Sequence, residues 1–257
     1  KKARLALITC AFLILLPLLF AALSPTAKAS PDPSSLQVDV AHVVQIRDGG
    51  LIVVNDTVKL SPQPGQSATL QNYTLGFPYG YQSDLDYVFA YAIQNPSSNL
   101  KLELDASLGK IGFYAVNVVF PQPISIEIGG SYEFRIIYVF SNSITPTTSG
   151  QTITYNASFP AYPSLTQMAS KANVTIALPT GLSFTSAWFS QLGLNYTRAQ
   201  TSLWQYFNLL RTNLSEFSTD NGWFAFTNAT QSLKILNVDE ITRGIQLSLG
   251  QMSLTDS

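Results

Sequence analysis

The sequence lacks most of the side chains on which enzymes rely for chemistry. In 257 residues it has one histidine, His42, and one cysteine, Cys10. Metal sites that need several histidine or cysteine ligands cannot be built from this supply, and a cysteine in the N-terminal segment offers no thiolate to the rest of the chain. His42 lies among valines in an alternating pattern, which predicts a hydrogen-bonded, partly buried ring rather than a general base. We therefore expect no catalytic residue, no metal and no cofactor.

Charge of either sign is also scarce. Charged residues make up 11% of the chain, and the formal net charge is -1. Nothing in this composition indicates attraction to nucleic acid or anionic lipid, so we expect no nucleic-acid function. The nearest carboxylate pairs are Asp84 with Asp86 and Asp239 with Glu240. Each pair has too few oxygen ligands for a calcium loop, which predicts solvated turns. An exported hydrolase would have to use Asp84 or Asp86 without an available histidine.

The one long hydrophobic run stands at the N-terminus. Basic residues at positions 1, 2 and 4 precede an apolar run over residues 5–23, and Ala27-Lys28-Ala29 follows as a cleavage site. This order predicts a secretory signal peptide over residues 1–29, although the run is long enough that an uncleaved membrane anchor stays open. In either case the body of the chain is exported. Because Cys10 lies in this segment, the exported body has no disulfide and must be held by its core.

What the chain does contain is alternation of apolar and polar residues. In residues 151–178 two such strands flank a Tyr-Pro link: Ala157 and Phe159 face one way in the first, and Val174 and Ile176 face one way in the second. Short alternating strands broken by glycine and proline are typical of an antiparallel β-sandwich, so we predict a mainly β fold. Further strands are predicted over residues 36–46, 51–60, 68–77, 87–93, 100–104, 111–120, 124–128, 132–140, 223–227, 232–237 and 241–248.

One segment departs from the β pattern. Leu203, Phe207, Leu210, Leu214 and Phe217 recur at spacings of four and three, which predicts an amphipathic helix over residues 198–217. The predicted domain organisation is a signal peptide at 1–29, a first β-sandwich domain at 30–182, a helical and loop extension packed on it at 183–230, and the start of a second, truncated β domain at 231–257.

Two segments, FPAYPSLTQ at residues 159–167 and TRGIQLSLG at residues 242–250, resemble segments of the ribophorin I family, a non-catalytic subunit of the oligosaccharyltransferase complex. Residues 159–167, FPAYPSLTQ, are similar to the family segment Ser-Pro-Tyr-Pro-Thr-x-Thr-Gln between two strands of the first lumenal domain. Residues 242–250, TRGIQLSLG, are similar to Thr-Arg-x-Ile-x-x-Ser-x-x-Gly at the start of the second, with the last glycine one residue early. The positions that carry the resemblance are Tyr162, Pro163, Thr166, Gln167, Thr242, Arg243, Ser248 and Gly250.

The resemblance implies a non-catalytic role in protein N-glycosylation. The implied partners are the catalytic and other membrane subunits of an oligosaccharyltransferase, together with acceptor polypeptides. The implied location is the exported side of a membrane: the endoplasmic reticulum if the source is eukaryotic, or the outer face of the cell membrane if it is archaeal. Membrane attachment would come from the signal segment or from a C-terminal anchor beyond the given sequence. The alternative is a structural or adhesive cell-envelope β-sandwich protein.

Sequons for N-glycosylation, Asn-x-Ser/Thr, are plentiful. Asn95 does not qualify because Pro96 follows it. Asn156 and Asn173 lie on the polar faces of predicted strands, where a bulky glycan can be accommodated. The candidate glycosylation sites are Asn55, Asn72, Asn156, Asn173, Asn195, Asn213 and Asn228.

Overall fold

The computed structural model describes residues 36–106, 110–228, 233–235, 243–248 and 251–256. The expected signal peptide, Thr242 and Gly250 lie outside the described residues. Within them the chain is mainly β, as the alternation predicted. The strands are β1 (Leu36–Arg47), β2 (Leu51–Pro62), β3 (Ala68–Pro78), β4 (Leu85–Ala92), β5 (Asn95–Asn99), β6 (Lys101–Leu104), β7 (Phe113–Ile126), β8 (Tyr132–Phe140), β9 (Ile144–Ser149), β10 (Thr152–Pro160), β11 (Ser164–Leu165), β12 (Ala169–Pro179), β13 (Ser183–Ala187), β14 (Thr197–Gln200), β15 (Trp204–Leu214), β16 (Asn221–Thr227), β17 (Arg243–Ser248) and β18 (Gln251–Asp256).

Helical structure is limited to two short pieces in the described residues. A 3₁₀ helix occupies Tyr79–Asp84, and the helix α1 occupies Trp188–Gln191. The two strands predicted over residues 111–120 and 124–128 form one continuous strand, β7. No helix in the described part of the chain has the length and apolar character needed to cross a membrane.

An eight-stranded sheet forms one layer of the sandwich. Its strand order is β14-β15-β12-β1-β2-β8-β4-β5, and β1 and β12 pair in parallel. Two four-stranded sheets, β11-β3-β7-β6 and β13-β16-β10-β9, pack on its inner face. Aromatic contacts join the layers: the ring centroids of Phe77 and Tyr138 lie 5.3 Å apart, and those of Phe207 and Phe224 lie 5.2 Å apart. Strands β17 and β18 pair with each other in a two-stranded sheet.

The β1–β2 hairpin supplies the centre of the inner face. Alternate β1 side chains from Val38 to Ile46 are buried, as the period of two predicted. The turn between the strands places Gly49 and Gly50 at φ values of 86° and 82°, a region that suits glycine because it has no Cβ. This turn fixes the register, which pairs His42 with Asp56 across the hairpin.

The predicted helix over residues 198–217 is wrong. These residues form β14 and β15, an antiparallel pair whose partner in the sheet is β12. Phe207 and Leu209 point inward and are buried, whereas Leu210 is exposed, so the period is two and not 3.6. Residues 183–228 thus add β13 to β16 to the same sheets as the preceding strands.

Candidate functional site

His42 lies in the middle of the inner face and is 1% exposed. Its Nδ1 lies 2.5 Å from Oδ1 of Asp56 on β2, and its Nε2 lies 3.0 Å from the carbonyl oxygen of Pro160 at the end of β10. Asp56 is also 1% exposed. The ring therefore joins three strands and connects the two layers of the sandwich.

The hydrogen bonds of His42 determine how many protons His42 and Asp56 share. A carbonyl oxygen only accepts, so Nε2 must donate its proton to Pro160. The short contact between Nδ1 and the Asp56 carboxyl contains a second proton, and the pair consequently carries no net charge. A buried pair without net charge and with satisfied nitrogens is a structural element. The prediction of a hydrogen-bonded His42 is confirmed.

The acidic pair at the start of β4 is also engaged in hydrogen bonds. Ser143 Oγ donates to Asp84 Oδ2 at 3.2 Å, and Ser141 Oγ donates to Asp86 Oδ1 at 2.9 Å. These bonds attach the start of β4 to the end of β8. Burial raises the pKa of the neighbouring Tyr81 phenol, and the charge of Asp84 adds to that effect. In the ranges that the structure describes, no group of three or more histidine, cysteine or carboxylate side chains could hold a metal.

Tyr162, from the Tyr-Pro segment, lines a pocket of about 330 Å³ together with Trp188, Arg211 and Asp220. The Trp188 ring meets the Tyr162 ring edge-on at 5.4 Å, and the Arg211 guanidinium lies 5.4 Å from the Tyr162 centroid. Burial raises the pKa of the Tyr162 phenol, while Arg211 acts in the opposite direction. Both aromatic side chains are buried, so they form the floor of the pocket.

The rest of the Tyr-Pro segment anchors the chain. Thr166 Oγ1 donates to the carbonyl oxygen of Thr74 on β3 at 3.1 Å, and Gln167 Nε2 donates to that of Leu36 at the start of β1 at 3.4 Å. Pro163 is buried. The segment thus connects both layers. Arg243 and Ser248, from the second segment, are the ends of β17.

An aromatic ladder lies on the outer face of the eight-stranded sheet. It consists of Tyr87, Phe89 and Tyr91, which alternate along β4. The centroids of Tyr87 and Phe89 lie 5.6 Å apart, and those of Phe89 and Tyr91 lie 6.3 Å apart. Tyr87 is 58% exposed and the other two rings are half-buried. On the adjacent β8, Val139 and Ile137 lie opposite Tyr87 and Phe89 and are half-buried as well.

Arg135 gives this apolar surface one positive charge. Its Nε donates to Thr57 Oγ1 at 3.1 Å and its Nη1 donates to Tyr91 Oη at 3.1 Å, so the guanidinium is held in place beside the ladder. No carboxylate of the described residues forms an ion pair with it. A fixed cation among aromatic and aliphatic side chains is the composition that protein interfaces favour.

Comparisons with known proteins identify no family. No protein-family profile and no curated protein matches the chain. An M1 zinc metallopeptidase from Deinococcus radiodurans is 12% identical, with a TM-score of 0.42 over 86% of this chain and 47% of that chain. An aminopeptidase N family protein from Idiomarina loihiensis is 9% identical, with a TM-score of 0.41 over 84% of this chain and 32% of that chain. This chain therefore spans about half the length of the first protein and about a third of the second.

The predicted sequons differ in exposure. Three of the asparagines are exposed: Asn173, Asn195 and Asn213. The other four are half-buried: Asn55, Asn72, Asn156 and Asn228.

Two features were missed by the sequence reasoning, although the chain contains a signal for each. A hairpin turn at residues 48–50 fixes the strand register and would have placed Asp56 opposite His42. Alternating aromatic residues at positions 87, 89 and 91 share one side of a strand and would have indicated the ladder. The contact of His42 with Pro160 spans 118 residues and has no local signal.

Proposed function

We propose that this chain is a non-catalytic, exported subunit that binds another protein through the aromatic ladder and the adjoining part of β8. In the form that the ribophorin I resemblance implies, its partner is the catalytic membrane subunit of an oligosaccharyltransferase, and its role is to stabilise the complex and engage acceptor polypeptides. The single observation that carries the binding role is the ladder itself, in which more than half of the Tyr87 surface is exposed beside Phe89 and Val139.

Two further observations favour binding over catalysis. The sole histidine is buried with both ring nitrogens occupied, so it is not available as a general base. Arg135, which lies beside the ladder and forms no ion pair with a carboxylate of the described residues, favours a partner that brings a carboxylate to an otherwise apolar contact. The occupant that this surface suits is therefore a protein with an apolar patch and an acidic residue.

The test is a pull-down of the full chain from detergent-solubilised membranes of its source. We expect a multi-spanning glycosyltransferase subunit to remain bound to the wild type. The double variant Tyr87→Ser, Phe89→Ser should lose that subunit, because it removes the apolar contact area. The matched control is Leu203→Ser, Leu210→Ser, which removes exposed apolar side chains from the β15 end of the molecule and should retain it.

Two results would contradict the proposal. Recovery of the chain alone, or of a detergent-free lattice of its own copies, would favour the cell-envelope alternative. Equal recovery of the glycosyltransferase subunit by the wild type and the ladder variant would leave the resemblance standing but remove the ladder as the contact.

A further inference from the structure

Hydrogen bonding and burial of the asparagine side chains separate six of the seven sequons into two groups. Glycosylation modifies Nδ2, so an Nδ2 that donates inside the protein is poorly suited to it. Asn228 Nδ2 donates to the carbonyl oxygen of Leu233 at 2.6 Å, and Asn156 Nδ2 donates to Thr147 Oγ1 at 3.3 Å. Asn55 has its Oδ1 buried without a partner among the described residues. These three side chains are parts of the packed structure.

The three exposed asparagines come from one edge of the eight-stranded sheet. Asn173 lies on β12, Asn195 precedes β14 in the loop after α1, and Asn213 lies near the end of β15. None of the described hydrogen bonds uses Nδ2 of these residues. The edge lies at the opposite end of the sheet from β4, which carries the aromatic ladder.

Asn173 and Asn195 share one surface groove of about 380 Å³. Its lining has no charged residue and offers amides, hydroxyls and apolar surface: Asn173, Thr175, Asn195, Tyr196, Asn208 and Leu210. Thr175 Oγ1 donates to Asn208 Oδ1 at 2.8 Å, which fixes both side chains in the floor. Tyr196 is 39% exposed and Leu210 is 54% exposed. An N-acetylhexosamine presents the same mixture, with an apolar ring face, an amide and hydroxyls.

We propose that Asn195 and Asn173 are N-glycosylated and that the first sugar attached there lies in this groove. In the reaction, Nδ2 attacks C1 of an oligosaccharide carried on a polyprenyl pyrophosphate. The new bond joins Nδ2 to C1, the C1–O bond to the pyrophosphate breaks, and Nδ2 loses one proton as the lipid pyrophosphate leaves. Asn213 is also exposed but does not line the groove, so the groove cannot hold the first sugar of a glycan on Asn213.

The two groove sites should differ in how readily they are modified. Asn195 lies in a loop and stays accessible after folding. Asn173 lies on a strand that pairs on both sides, with β1 and with β15, so its backbone can reach an enzyme only before the sheet forms. We expect higher occupancy at Asn195 than at Asn173. The inference shares the requirement for export with the proposed function but does not depend on binding to a partner.

The experiment is secretion of the full chain, with a C-terminal tag that carries its own sequon, from a glycosylating cell. In molecules whose tag sequon is occupied, peptide mass spectrometry measures occupancy at each asparagine. We expect glycan at Asn195, Asn173 and Asn213 and none at Asn55 or Asn228. Occupied tags with unmodified Asn195 and Asn173 would overturn the assignment. Because the tag reports export, this failure is distinct from a loss of partner binding in the pull-down.

A second measurement tests the groove itself. Glycans trimmed to a single sugar are exposed to an amidase that hydrolyses the Cγ–Nδ2 bond of the modified asparagine, which leaves aspartate and releases the sugar as its 1-amino derivative, and release is followed site by site on the folded protein. Release from Asn195 should be several-fold slower than from Asn213, because the groove covers its first sugar. The variant Leu210→Asp should remove most of that difference by changing the groove wall. Equal release rates at Asn195 and Asn213 in the wild type would contradict the proposal that the first sugar on Asn195 lies in the groove.

Discussion

The inner and outer faces of the eight-stranded sheet come from the same strands but differ in how deeply their side chains are buried. On β1, inward residues such as Val38, Val44 and Ile46 are buried, whereas outward residues such as Val43 and Gln45 remain partly exposed. The inner face buries the His42–Asp56 pair, in which both ring nitrogens of His42 have hydrogen-bond partners. The outer face leaves its aromatic and amide side chains to solvent. Packing on the inner face therefore stabilises the fold, whereas side chains on the outer face are available to bind a partner.

Strand β15 gives the sharpest test of this contrast. Phe207 points inward and contacts Phe224 and Phe184, while Leu210 points outward. Phe207→Ala should lower the free energy of unfolding by about 4 kcal/mol, as expected for a buried ring, and Leu210→Ala by about 0.5 kcal/mol or less. In a helix the two residues would share one face, and both substitutions would be costly. Urea unfolding of both variants distinguishes the two cases.

The β15 segment also explains why part of the fold was beyond sequence reasoning. The inward position of β15 that precedes Phe207 is occupied by Gln205, which interrupts the apolar alternation. Its Nε2 donates to the carbonyl oxygens of Pro179 at 3.2 Å and Leu182 at 2.6 Å, so the polar group is satisfied inside the core. Those acceptors come from a distant turn. The local sequence does not reveal these acceptors, so Gln205 appeared unsuited to a buried position, and the spacings of four and three among the apolar residues predicted a helix.

Where alternation was uninterrupted, the sequence was sufficient. Strands β1, β2 and β8 were predicted close to their observed bounds, because a period of two in the sequence and a glycine turn between strands are local properties. For the candidate surface the sequence carries a signal only in its composition, because the chain has 12 tyrosines and 15 phenylalanines. Which rings face outward depends on how the sheets stack, and no short stretch of residues encodes that.

The buried pair should give the next largest effect. His42→Leu leaves Asp56 without its partner and Pro160 without a donor, which should lower the free energy of unfolding by about 3 kcal/mol. The double variant His42→Leu, Asp56→Leu should recover part of this loss, because no unpaired acid then remains in the core. Gln45→Ala, on the outer face of the same strand, is the control and should change stability by about 0.5 kcal/mol or less. A double variant less stable than His42→Leu would contradict the argument.

Removal of a buried tyrosine hydroxyl from the core should stabilise the protein. The hydroxyls of Tyr73 and Tyr138 are buried without a hydrogen-bond partner among the described residues. Tyr138→Phe removes such a group without changing the ring and should raise the free energy of unfolding by about 1 kcal/mol at neutral pH. Thermal unfolding of this variant and of Tyr155→Phe, a half-buried ring, provides the comparison. A Tyr138→Phe variant with a lower melting temperature would indicate that the hydroxyl is bonded.

The same phenol makes stability depend on alkaline pH. Burial, assisted by Asp56, raises the pKa of Tyr138 well above its usual value. The folded-state pKa lies above the unfolded value of about 10, so the folded protein favours the protonated phenol. The stability that this proton linkage provides is complete below about pH 10 and is lost as the pH rises beyond that value. Between neutral pH and about pH 11 the wild type should therefore lose more stability than Tyr138→Phe. Parallel loss in both proteins would show that another group governs the alkaline transition.

The smallest effect on stability is expected where the effect on binding is expected to be largest. Tyr87 is 58% exposed, and its ring contacts Phe89 along β4 but nothing on the inner face. Tyr87→Ser should therefore change the free energy of unfolding by about 0.5 kcal/mol or less. A chemical unfolding curve that overlays the wild type, combined with loss of the partner in the pull-down, would separate recognition from folding. A loss above about 2 kcal/mol would instead mean that the ladder belongs to the packed structure, and the contrast between the two faces would fail at β4.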